Sequence, residues 1–267
     1  MDLYAIVMAV VLGIVEGVTE FLPISSTGHL ILVEDLLGFQ GPAGNVFDIV
    51  IQLGAILSVV WIYRVKLWRT AFGLFRPGPE QRLALNIVVA FLPAAIIGVI
   101  AHDFIKEVLF SPWVVSVALI VGGIAILIIE RVQKVHSITA VEDVPVAKAL
   151  AVGFFQCIAM IPGMSRAAAT IMGALLVGVS RPAAAEFSFL LAIPTMFGAT
   201  FYDLYKARDT LSSDGMGFIA IGFVVSFIVA LIVVKWLLRY ISVHNFGAFA
   251  IYRIIIGAVM IGILLVR

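Results

Sequence analysis

EGVTEFLPISSTGH, residues 16–29, gathers two carboxylates, a Ser25-Ser26-Thr27 hydroxyl run and a histidine into one short stretch of an otherwise hydrocarbon-rich chain. The proline-centred break it contains decides the fold. Ionisable groups at membrane depth are costly, and they persist where they line a cavity, bind an ion or do chemistry. A plainer reading makes the stretch an N-terminal helix followed by a polar turn at the membrane surface.

Around it lie 267 residues, 63% apolar and 12% charged, with a mean hydropathy of +1.19. Soluble domains run at roughly 45–50% apolar and about 25% charged, so this composition belongs to an integral membrane protein. Long apolar runs between short polar loops specify helices, because barrel strands would alternate apolar and polar residues. With a net charge of +1 and no basic patch, the chain is not expected to bind nucleic acid. Cys157 is the single cysteine, which excludes an internal disulfide and a cysteine metal cage. The first residues lack a basic start and a small-residue cleavage site, and they carry Glu16 and Glu20. They read as mature structure rather than as a signal peptide.

Six stretches are long and clean enough to cross a bilayer, which takes about 20 residues each. They are 46–63, 83–101, 112–130, 183–204, 216–236 and 247–266. Two more, 3–38 and 147–180, are interrupted, the first by Pro23 and the Ser-Ser-Thr-Gly-His run, the second by Pro162-Gly163 and Ser165-Arg166. Helix, break, helix describes a re-entrant hairpin, whose irregular backbone must be buried in protein or face a cavity. Residues 64–82 carry five basic side chains against one acidic, 131–148 three against two, and 235–246 two against none. The intervening loops 102–111 and 203–215 each carry one more acid than base. The positive-inside rule places the first set in the cytoplasm, so the first hairpin enters from the outer side and the second from the inner side. Trp61, Tyr63, Trp68, Trp113, Trp236 and Tyr240 near span ends form an expected interfacial belt, and His102, His136 and His244 fall in expected solvated loops.

An internal repeat follows the same division. Gly13, Glu16 and Ser25 recur as Gly153, Gln156 and Ser165 at a constant offset of 140, and Phe47-Asp48 pairs with Ala185-Glu186 at 138. The expected fold class is therefore all-α: a polytopic membrane protein with an inverted-topology repeat of a re-entrant helix hairpin plus three transmembrane helices. It forms a single membrane domain, with repeat 1 over about 1–131, a connecting cytoplasmic loop 132–146, and repeat 2 over about 147–267. Pro23 and Pro162 each end a helix, which leaves Ser25 or Ser26, and Ser165, at the N-cap of the next. Free N–H groups and the positive dipole end at each helix start make an anion site, and Arg166 adds a bidentate donor.

The remaining groups suit phosphoryl transfer. Glu16 and Glu20, four apart, share a helix face and can hold a divalent cation or a proton. His29 lies within a helical turn of both Ser25 and Ser26, so a serine with an adjacent base is available as nucleophile. Each residue also has a plain structural reading, since hydroxyls in membrane helices bond back to carbonyls and arginines reach for headgroups. Gln52 and Asp48 are plausible lining residues. The catalytic set is Ser26, His29, Glu20 and Arg166, with Ser25, Ser165, Glu16 and Gln52 binding substrate and Glu16 and Glu20 as the metal candidates. Ser25 or an activated water remains an alternative nucleophile.

At these motifs the chain resembles the undecaprenyl-diphosphate phosphatase family of bacterial membrane enzymes. The matching pieces are EGVTEFLPISSTGHL at 16–30, FDIVIQLGAILSVV at 47–60, PGMSRAAAT at 162–170, GVSRPAAAEFSFLLAIPTM at 178–196 and FAIYR at 249–253. The resemblance implies hydrolysis of a polyprenyl diphosphate lipid to the monophosphate for cell-wall synthesis, a divalent cation such as Mg2+ or Ca2+, and a multi-pass protein of the bacterial plasma (inner) membrane. It further implies Thr27 as a substrate-binding residue and a site open to the periplasmic or outer face. The expected partners are that lipid and the membrane, with a homodimer as the assembly considered. Ala167 and Ala168 stand where the family motif has Ser-Gly, removing a hydroxyl and adding a methyl. A transporter or flippase for an anionic lipid or small anion is the rival, because inverted repeats with broken helices are also a transporter architecture. Transport needs an anion site but no serine and base beside it.

Overall fold

The computed structural model describes residues 3–38, 45–133, 137–206 and 215–266. These form, in chain order, α1 (Leu3–Thr19), α2 (Ser26–Leu37), α3 (Asn45–Ile62), α4 (Arg64–Gly73), α5 (Pro79–Phe104), α6 (Pro112–Val132), α7 (Val146–Cys157), α8 (Arg166–Leu176), α9 (Arg181–Lys206), α10 (Met216–Ile241) and α11 (Gly247–Val266). Helices α5, α6, α9, α10 and α11 are each long and apolar enough to cross a membrane, and α3 with α4, bent by 74° at their junction, makes a sixth span if the pair is taken as one. The chain is an all-α polytopic membrane protein. His136 and much of the loop 203–215 lie outside the described residues.

Two expectations change at the helix ends. The segment 102–111 is not an open loop, because α5 runs to Phe104 and continues as a π-helical turn over Ile105–Leu109. His102 is accordingly not solvated: its side chain is 16% exposed and its two ring nitrogens lie 2.9 Å from Asp103 on α5 and 2.9 Å from Asp203 on α9. His244 is exposed, as expected. Pro79 and Pro112 each sit in the first turn of their helix, where a missing N–H costs nothing.

The shorter helices come in two broken pairs, α1 with α2 and α7 with α8. Helix α1 packs on α10 and α7 packs on α5, while α3 and α9 pack on α10 and α5 respectively and on each other. Helix α6 pairs with α11. Small residues allow the first two contacts. A Cβ on Gly13 would lie 2.8 Å from the Gly222 carbonyl of α10, and one on Gly153 would lie 2.5 Å from the Ala90 carbonyl of α5. Because lipid is as apolar as the helix surfaces, such backbone proximity and the packing it permits hold membrane helices together.

Polar ties close one end of the bundle. Glu130 at the end of α6 forms an ion pair with Arg181 at the start of α9 and accepts the Phe246 N–H ahead of α11 at 3.0 Å. The connecting segment lies against the protein: Ser180 N–H bonds the Ile138 carbonyl at 2.8 Å, Asn86 donates to the Val144 carbonyl at 2.6 Å, and Val141 is fully buried. Lys66 of α4 reaches both Glu142 of that segment, at 2.6 Å, and Glu186 of α9, at 2.7 Å.

The close approach at α7 and α5 is testable. Gly153→Val should cost about 1–3 kcal/mol through overpacking and lower the thermal midpoint of the detergent-purified protein. Gly262→Val, where nothing lies within 4 Å, should leave the midpoint unchanged.

Candidate active site

Both breaks have the same local geometry. After α1 ends at Thr19, the chain turns through Glu20–Ile24, with Phe21, Leu22 and Ile24 buried, and restarts at Ser26. The N-cap Ser25 has φ 74° and ψ 99°, and its Oγ accepts the Gly28 N–H at 3.3 Å. After α7 and a 3-10 turn over Ile158–Met160, the second break restarts at Arg166. Its N-cap Ser165 has φ 70° and ψ 121°, and its Oγ accepts the Ala168 N–H at 3.2 Å. A positive φ is unfavourable for a residue with a Cβ, so each serine is held there by its surroundings.

Much of that restraint comes from Arg253, which is fully buried in α11. Its Nη1 donates to the Pro23 carbonyl of the first break and the Met164 carbonyl of the second, each at 3.0 Å. Nη2 donates to Gly163 at 2.8 Å and Ala118 at 3.2 Å, and Nε to Leu119 at 3.3 Å. One guanidinium thus satisfies carbonyls that proline and the turn conformation remove from helical bonding.

Between the breaks lies a cavity of about 170 Å³ whose wall includes Glu20, Ser25, Ser26, Thr27, Gln52, Ser165 and Arg166. Seven residues singled out from sequence therefore meet at one place. Arg166 donates from Nη2 to Glu20 Oε1 at 3.0 Å and from Nη1 to the Ser188 carbonyl at 3.1 Å and hydroxyl at 3.2 Å. Its guanidinium lies 5.6 Å from the Phe21 ring centre, and Phe21 meets Phe189 edge-on at 5.5 Å. Thr170, one turn along α8, shares a 2.6 Å hydrogen bond with the Ser188 hydroxyl. The other oxygen of Glu20, Oε2, accepts a short hydrogen bond from Ser26 Oγ. Glu20 thereby joins the first hairpin's hydroxyl to the second hairpin's cation.

Three residues stand elsewhere than expected. His29 is not paired with Ser26 and does not line the cavity. Its Nδ1 lies 2.7 Å from the Ser25 carbonyl, which can only accept, so Nδ1 carries the proton; Nε2 then accepts from the Tyr252 hydroxyl at 2.8 Å. The histidine position reaches back one turn as its spacing allows, but to backbone rather than to a side chain. Glu16 also lies behind the cavity wall, 1% exposed, with Oε1 lacking a hydrogen-bond partner among the described residues. Asp48 is absent from the cavity wall too, whereas Gln52, one turn further along α3, is on it. Ala167 and Ala168 are buried off the wall, so the exchanged motif positions leave the cavity lining intact.

Arg253, Tyr252, Ser188 and Thr170 complete the site and were not singled out from sequence. All four lie in the stretches that carry the family resemblance, and Arg253 had a further signal, since an arginine inside the apolar span 247–266 is a buried charge. Beyond Arg166 the first cavity meets a second of about 400 Å³, sharing Ala159, Thr195 and Ala199 and walled by apolar groups including Phe91, Ala94, Val99 and Met160. It extends to His102, Tyr202 and Asp203 at the ends of α5 and α9.

Two helix N-termini, an arginine and a carboxylate-bonded serine thus surround one cavity of a polytopic helical membrane protein. A family model described as "Bacitracin resistance protein BacA" matches residues 9–259, and the chain belongs to that family. It is 54% identical over 259 residues to "Undecaprenyl-diphosphatase 2" of Paramagnetospirillum magneticum, covering 97% of this chain and 99% of the relative. It is 55% identical over 261 residues to "Undecaprenyl-diphosphatase" of Nitrosospira multiformis, covering 98% and 96%. With the Acinetobacter baumannii protein of the same name the identity is 50% over 262 residues.

The placement of His29 gives a sharp prediction. In a phosphate-release assay on a lipid diphosphate, Tyr252→Phe should cost no more than about tenfold, as for the loss of one neutral hydrogen bond. His29→Asn, whose amide can still donate to the Ser25 carbonyl, should outperform His29→Ala. Equal and complete loss in both histidine variants would return His29 to the role of base.

Proposed function

We propose that the chain is an undecaprenyl-diphosphate phosphatase, hydrolysing the lipid diphosphate to undecaprenyl phosphate and inorganic phosphate and so recycling the carrier for cell-wall synthesis. The observation that carries this reading is the Ser26–Glu20–Arg166 chain on one cavity wall. An anion transporter would need the arginine and the helix N-termini, but not a hydroxyl already bonded to a carboxylate.

In this reading the diphosphate lies between the N-termini of α2 and α8. Arg166 and the free N–H groups bind its oxygens, the Ser25 and Ser165 hydroxyls donate to it, and Thr27 and Gln52 complete the wall. Ser26 Oγ attacks the terminal phosphorus while its proton passes to Glu20. The bond from that phosphorus to the bridging oxygen breaks, and undecaprenyl phosphate leaves, taking the proton from Glu20. Water then adds to the phosphoserine with Glu20 again as base, and the Ser26 oxygen departs and is reprotonated. Arg166, bonded to Glu20 in the resting site, shields the carboxylate from the incoming phosphates and stabilises the charge that develops. The role first assigned to His29 passes to Glu20, and His29 holds the turn that aims Ser25 and Ser26.

Among the described residues no three carboxylate, histidine or cysteine side chains cluster together, so a divalent cation would rest on two carboxylates with neighbouring oxygens. The donors near the cavity are carboxylate, hydroxyl and amide oxygens, which suit Mg2+ or Ca2+, and Glu16 Oε1 is a buried oxygen left without a partner among the described residues. Glu16 and Glu20 would hold it, and when bound it would neutralise phosphate charge. Hairpins entering from opposite faces would bring the breaks together at mid-membrane, in the bacterial inner membrane, with the cavity opening to the outer side by the His102 end of α5 and the Asp203 end of α9.

Phosphate release from purified variants tests the assignment. Ser26→Ala, Glu20→Gln and Arg166→Ala should each lose about a hundredfold or more in kcat/KM; near wild-type rates for Ser26→Ala and Arg166→Ala would sink it. Chelation should abolish turnover and added Mg2+ or Ca2+ restore it, with Glu16→Gln requiring about tenfold more cation.

A further inference from the structure

We propose that Arg253 is a positioning residue that sets the separation of the two helix N-termini and thereby fits the site to a diphosphate rather than to a single phosphate. This rests on the reading of the cavity given above. A single nitrogen, Nη1, is bonded to Pro23 and Met164, one carbonyl from each break, and Nη2 is bonded to Gly163 beside the second. Pro23 lies two residues before the cap Ser25, and Met164 immediately precedes the cap Ser165. Two acceptors that share one donor atom cannot drift apart without breaking a bond, so the distance between the caps is fixed at this point.

The surroundings are shaped for this arrangement. Gly122 of α6 lacks the Cβ that would overlap the guanidinium, and the α6 carbonyls of Ala118 and Leu119 fix the remaining face of the fork. The preceding residue, Tyr252, holds His29, which in turn holds the Ser25 carbonyl. Two consecutive residues of α11 therefore restrain the first break, and one of them also restrains the second. Lysine offers three donors from one atom and no planar fork, so it cannot reproduce a set spread over Nε, Nη1 and Nη2.

A ligand that bridges both N-termini depends on their separation, whereas one phosphate seated on a single terminus does not. The test uses inorganic pyrophosphate and inorganic phosphate as competitive inhibitors of the full-length chain in detergent, comparing wild type with Arg253→Lys. Gly122→Ala, which crowds the guanidinium without removing it, serves as the second variant should the first fail to fold. The inhibition constant for pyrophosphate should rise about tenfold or more, equivalent to about 1.4 kcal/mol, while that for phosphate changes less than about threefold. Simple structural damage would reduce the fraction of active protein and leave both constants in place. An unchanged ratio of the two constants in a folded variant overturns the inference. A wild-type protein that pyrophosphate does not inhibit overturns the bridging site and the inference with it.

Discussion

Breaking a helix inside an apolar bundle strands backbone carbonyls where no water can reach them, and one guanidinium resolves this for two breaks at once. Arg253 is bonded to five carbonyls, three of them from the interrupted segments. Each unsatisfied polar group in hydrocarbon costs several kcal/mol, so without such a donor the breaks would be expected to close into continuous helix or move to the surface. The positive φ of Ser25 and of Ser165, the helix N-termini of α2 and α8, and the cavity between them all depend on the two breaks.

A second ionic arrangement, on the cavity side, sets the chemistry. Glu20 is buried, yet both its oxygens are engaged, one by Arg166 and one by Ser26. Taking this ion pair out of water is expensive, and such pairs are weak as stabilisers. Its value is in placement: the carboxylate is held within a hydrogen bond of a hydroxyl at the start of α2, while the arginine is held by Ser188, itself bonded to Thr170. Burial here raises the reactivity available to the site rather than the stability of the fold.

Much of this was legible in the amino-acid order. The two interrupted apolar stretches, the constant 140-residue offset and the serine following each proline located both breaks and both caps, because proline and N-cap chemistry act locally. Glu20, Ser25, Ser26, Gln52, Ser165 and Arg166 follow from type and spacing and Thr27 from the family motif, and they share one wall. Spacing could not decide which partner each side chain takes. His29 is equally placed for a hydroxyl or a carbonyl one turn back, and the choice was made by Tyr252, 223 residues away. Arg253 and Ser188 act through contacts between distant helices, which periodicity does not encode. The helical extension of α5 past residue 101 escaped notice because its charged end, with His102 between Asp103 and Asp203, reads as a loop until α9 is packed against it.

The central claim is that Ser26 and Glu20 act as one unit across the first break. A double-mutant cycle on kcat/KM with Ser26→Ala and Glu20→Gln measures that coupling directly, since residues that work as a unit are strongly non-additive. The account predicts that the double variant is no slower than the slower single variant. Losses that multiply would contradict it, showing that the hydroxyl and the carboxylate contribute to the reaction independently.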